Sequence, residues 1–158
     1  VARQFLTPYG VEFVELPELQ RLYIFDVGGP HTYRTVYMDG RSHSDPDLLV
    51  PSFNGESIGH WEGDTLVVDT TNFTEKANYR GSTDGLHLIE RFTRTAAGTV
   101  RYEFTIDDPK TFTKKWTAAI PMTGTDEQIF EYACHEGNYS MPGMLKGART
   151  VEEAQGRQ

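Results

Sequence analysis

Apolar and polar residues alternate with a short period along most of the chain. Residues 11–16 (VEFVEL) and 21–26 (RLYIFD) show the two-residue repeat of strands, separated by a loop holding Pro17. Residues 32–39 (TYRTVYMD) form a third run rich in β-branched and aromatic residues, closed by Asp39-Gly40. The clearest pattern lies at 57–70, where two alternating runs flank Gly63-Asp64. A glycine leading a two-residue loop is the mark of a type II′ hairpin turn. That turn sets the register, placing Glu62 opposite Thr65, Trp61 opposite Leu66, His60 opposite Val67 and Ile58 opposite Asp69. Gly59, Trp61, Leu66 and Val68 then share one face, and Ile58, His60, Glu62, Thr65, Val67 and Asp69 the other.

A second hairpin is expected from 86–94 and 99–107, with Ala96-Ala97-Gly98 as a three-residue loop and its glycine left-handed. Its register pairs Phe92 with Tyr102, Glu90 with Phe104 and Leu88 with Ile106 on an apolar face. Arg91 meets Glu103 and His87 meets Asp107 on a charged one. Strands at 113–122 and 128–134 follow, and 145–155 has helix-forming composition weakened by Gly147. Two long polar connections, 41–54 and 71–85, interrupt the pattern, and loops of that length often carry function. The second has the reach to act as a lid, and a plain surface loop fits it equally well.

About nine sequential strands joined mainly by hairpins point to an all-β antiparallel sheet, closed into a lipocalin-like up-and-down barrel with a short C-terminal helix. A two-sheet sandwich is the alternative. Residues 1–158 read as one domain, with 1–10 an irregular lead-in and 138–158 a tail holding the helix.

Composition narrows the function. The net charge of −8, without a basic patch, argues against a nucleic-acid binder and favours a neutral or weakly polar partner. No apolar run reaches membrane-spanning length, so no membrane insertion is expected. The single cysteine, Cys134, excludes an internal disulfide framework and reads as a buried structural thiol. No signal-peptide pattern precedes Val1, the expectation for a processed or trimmed chain.

Glu90 is the most informative residue, because a carboxylate flanked by Leu88 and Phe92 and opposed by Phe104 is desolvated and suited to acid/base work near neutrality. An inward glutamate paired with Lys114, a tyrosine or a buried arginine is the structural alternative. His60 and Asp69, diagonal neighbours on one hairpin face, form a second candidate pair for proton transfer. His43, Asp45, Asp47 and His135-Glu136 raise the question of a metal, but HxH, HExxH and paired-cysteine spacings are absent, and neither metal nor cofactor is expected. No nucleophile elbow accompanies any serine.

The runs YMDGRSH (37–43), SIGHWEGDTLVVDT (57–70), LHLIERF (86–92), TIDDPKTFTKKW (105–116) and EYACHEGNY (131–139), in this order, resemble a large family of uncharacterised, mostly exported bacterial proteins. The resemblance implies a periplasmic or secreted location and carries no activity and no catalytic residue. From the residues themselves, the expected function is cofactor-independent acid/base catalysis of the lyase, isomerase, hydratase or cyclase type on a small hydrophobic or aromatic molecule. Glu90, His60 and Asp69 are the catalytic candidates, and Tyr102, Phe104, Tyr132, Phe92 and Trp116 would bind substrate. A non-catalytic lipocalin-like carrier of an apolar ligand is the alternative, with homodimer formation left open.

Overall fold

The computed structural model describes residues 10–26, 33–76, 81–128 and 139–156. Eight strands form one curled sheet, a half-barrel, in chain order: β1 Val11–Leu16, β2 Arg21–Asp26, β3 Tyr33–Tyr37, β4 Glu56–Glu62, β5 Thr65–Thr71, β6 His87–Ala96, β7 Thr99–Asp107 and β8 Trp116–Thr123. A C-terminal helix, α1, spans Ser140–Gln155. The expected strand at 128–134 lies almost wholly outside the described residues, as do Tyr132 and Cys134.

Both hairpins take the register that their alternation dictates. Glu62 faces Thr65, and Ile58 faces Asp69. Gly63 has a φ of 58° while Asp64 is not among the residues with positive φ, the combination of a II′ turn. In the β6–β7 hairpin, Phe92, Glu90 and Leu88 oppose Tyr102, Phe104 and Ile106. Its tip differs from expectation: Ala96 pairs with Thr99, the register shift falls between Arg94 and Ala96, and Gly98 is not left-handed. The extra residue is taken up as a bulge inside β6 rather than by the glycine.

The sheet is not an all-antiparallel meander. β3 and β4 pair in parallel, Val36 with Ser57 and Tyr37 with Ile58. A parallel neighbour needs a crossover of roughly a dozen residues or more. The long connection after β3 supplies it, carrying the chain back before β4 begins. β1 and β8 do not pair among the described residues, so the sheet is open there.

Leu22, Ile24, Val36, Leu66, Val68 and Leu88 are among the buried side chains of the core face, joined by Phe92, Tyr102, Phe104 and Ile106. Burying a side chain of this size contributes about 1.5–3 kcal/mol. Gly59 permits the close approach of β3: a Cβ there would lie 2.7 Å from Val36 Cγ1 and 2.5 Å from Met38 Sδ. Trp61, expected on the apolar face, is 51% exposed at the hairpin end.

The helix starts earlier than its composition predicts. Pro142 falls in the first turn, where its missing N–H would have had no helical partner. None of the helix residues is buried, and no helix among the described residues is long and apolar enough to cross a membrane.

Candidate functional site

Asp69 lies on the outer face of β5, between Ile58 on β4 and Ile89 on β6. Alternation puts it opposite the core, and a strand's diagonal neighbours are within reach of long side chains. Two of those diagonals, Glu56 on β4 and His87 on β6, lie toward the same end of β5, because both strands approach Thr71 there. His87 Nε2 contacts Asp69 Oδ1 at 2.7 Å. His43, from the crossover connection, contacts the same oxygen through Nε2 at 2.9 Å. Its Nδ1 lies 3.3 Å from Glu56 Oε2.

Glu56 is anchored in turn. The Ser44 hydroxyl donates to Oε1 at 2.6 Å and the Ser44 backbone N–H to Oε2 at 2.9 Å. The outcome is a chain of contacts, Ser44–Glu56–His43–Asp69–His87, that clamps the crossover onto the sheet. Its start is braced as well: Asp39 accepts from Arg41 Nη2 at 2.6 Å and pairs with Arg21, and both guanidinium groups sit over the Tyr37 ring at 4.1 and 4.4 Å. Arg41 is the main reason the Asp39 carboxyl is held down to about 2.

The electrostatics follow from these contacts. Burial pushes Asp69 up, but the hydrogen bonds from His87 and His43 outweigh it, and the net shift is downward. Glu56 behaves alike: burial raises it, and the Ser44 and His43 contacts bring it below the usual carboxylate range. Asp69 raises the pKa of His87, with partial burial opposing. A carboxylate only accepts, so a neutral His87 must carry its proton on Nε2 to make this bond. Nδ1 then holds the lone pair, and among the described residues nothing bonds to it. The side chain is 39% exposed. An oriented imidazole with one open nitrogen is equipped to take and return a proton.

The expected partner of Asp69, His60, is not there. His60 occupies the opposite diagonal and lies 3.2 Å from Glu62, which also accepts from Arg91 at 2.6 Å. Glu62 and Arg91 form an exposed ion pair at that end, so Asp69 and His60 face different clusters. His87 was legible in principle, since the diagonal rule applied to β5 and β6 places it beside Asp69. His43 left no local signal, because a crossover loop has no register.

Glu90 is wholly buried on the core face, as its flanking residues indicate. Tyr102 donates to Oε1 at 2.8 Å, and Arg34 Nη1 lies 2.7 Å from Oε2. The buried-arginine alternative therefore describes its surroundings. Both oxygens are engaged, and an incoming substrate would have to displace a guanidinium or a phenol to reach them. Phe92, Tyr102, Phe104 and Trp116 do come together, in a continuous row with ring centroids 4.8, 5.5 and 5.8 Å apart. Asp45 and Asp47 do not enter the histidine cluster; Asp45 instead accepts from the Asp47 backbone N–H at 3.0 Å.

No family model matches the chain, and neither a curated protein nor a solved structure does.

Proposed function

We propose that this chain is a cofactor-independent acid/base enzyme of the lyase or isomerase type, acting on a small apolar molecule. His87 exchanges the proton through Nδ1. Asp69 orients the ring and stabilises its charged form, and His43, tethered by Glu56, holds Asp69 in place. The reading moves the proton-transfer role from Glu90 to the outer face, since Glu90 is occupied by Arg34 and Tyr102. The observation that carries it is the 2.7 Å contact between His87 Nε2 and Asp69 Oδ1, with Nδ1 left open.

Apolar groups on the outer face and on the crossover support the substrate class. Ile58 and Ile89 flank Asp69 in register, and the crossover that brings His43 also exposes Leu48, Val50 and Phe53. The curvature of the sheet supports a lipocalin-like cup, with this site on its outer wall.

The test is wash-out of α-protons from a panel of small ketones and enones in D2O, followed by proton NMR. The wild-type chain should exchange at least one of them faster than buffer, and His87→Gln should slow that exchange about 100-fold or more. Exchange that survives His87→Gln unchanged, or no exchange with any member of the panel, contradicts the assignment.

A further inference from the structure

Among the described residues Arg34 has more unmatched buried polar atoms than any other side chain. It projects from β3 onto the core face, in register with Ile24 on β2, and is only 1% exposed. A guanidinium presents five N–H donors. Among the described residues none of its three nitrogens has a hydrogen-bond partner, and Nη1 meets Glu90 Oε2 at 2.7 Å as an ion contact off the hydrogen-bond direction. Buried donors left unmatched are costly and uncommon in folded proteins.

The local charge decides what would match them. Arg34 and Glu90 neutralise one another, and Asp26, two residues from Ile24 on the same face of β2, is a further buried carboxyl, so an added anion would enter a face that already holds two carboxyl groups against one guanidinium. A neutral acceptor carries no such penalty. The core face is largely apolar apart from Asp26 and the hydrogen-bonded Ser57–Thr70 hydroxyls, and Trp116, Ala118, Ile120 and Met122 on β8 pack against it while only partly buried. Among the described residues no strand lies beyond β8, and the interior is only partly covered there.

We infer that Arg34 anchors an interior site for an apolar small molecule bearing a neutral carbonyl oxygen, such as a ketone, aldehyde or ester. The carbonyl oxygen accepts from the unused guanidinium N–H groups, and the hydrocarbon part packs on the core face. This site lies on the opposite face of the sheet from His87 and does not depend on the proton-transfer reading. Ordered water on Arg34 is the competing occupant.

The test compares 2-decanone, decane and decanoate by calorimetry with the wild-type chain and with the Arg34→Met/Glu90→Met double variant, which removes the donors without stranding a charge. The wild type should bind the ketone about tenfold or more tightly than the alkane or the carboxylate. The double variant should lose that preference while keeping its affinity for decane. Equal binding of ketone and alkane, no binding of the ketone, or a preference that persists in the double variant overturns the inference. If the double variant does not fold, the Arg34 Nε–H resonance of the wild-type chain decides: a shift with 2-decanone and none with decane supports the site, and no shift with the ketone overturns it.

Discussion

His87 reaches Asp69 from two residues off the register partner Ile89, Nε2 to Oδ1 at 2.7 Å, and the same oxygen receives His43 at 2.9 Å. The shared acceptor ties a crossover loop, a central strand and the start of its neighbour into one unit. Its titration should therefore be visible in stability as well as in chemistry.

The pH dependence has a definite sign. The folded-state pKa of His87 lies above its ordinary 6.5, so its contribution is complete below that value and is lost as pH rises through the folded pKa. Asp69 lies below its ordinary 3.8, so its contribution is complete above that value and is lost as pH falls through the folded pKa. The difference in melting temperature between wild type and His87→Gln should be largest at pH between about 4 and 6.5 and should narrow on the alkaline side. A difference that widens toward pH 9 would refute the linkage.

The buried pair on the other face behaves as a unit. Glu90→Gln leaves the Arg34 guanidinium uncompensated and should cost about 3–5 kcal/mol in urea denaturation. Replacing both residues with methionine should recover most of that loss, because no buried charge remains. Equal losses for the single and double variants would show that packing, not charge, dominates here.

The clamp on the crossover depends on Glu56. Ser44→Ala removes the 2.6 Å bond to Oε1 and should cost about 1 kcal/mol. Amide exchange at 41–55 should speed up while the β6–β7 hairpin keeps its protection. Uniform loss of protection across the sheet would mean that the clamp is not local.

Gly59 should tolerate no side chain. The Cβ of Gly59→Ala falls 2.7 Å from Val36 Cγ1, on a rigid branched residue, and should destabilise the fold by about 1–3 kcal/mol. Met38, whose sulfur ends a flexible chain, is better able to yield. Combining the change with Val36→Ala should therefore relieve more of the loss than combining it with Met38→Ala.

The sequence made strands, registers and faces legible because hairpin turns and the two-residue period constrain them together. Asp69 opposite Ile58 and Glu90 opposite Phe104 both follow from that logic. The parallel β3–β4 pairing was not legible, since a crossover of polar residues does not encode which way the next strand will run. For the same reason His43 could not be placed beside Asp69. The diagonal rule sets both His60 on β4 and His87 on β6 within reach of Asp69, and only the His87 contact forms. Alternation puts Glu90 in the core, but its arginine comes from β3, which alternation within a hairpin does not reveal.

The role of His87 is read out by a long-range proton–nitrogen NMR titration of the wild-type chain and of Asp69→Asn. Neutral His87 should carry its proton on Nε2 with Nδ1 bare, titrate above its ordinary 6.5, and fall toward that value in Asp69→Asn. A proton on Nδ1 in the neutral form, or a titration unmoved by Asp69→Asn, would contradict the assignment of His87 as the oriented base.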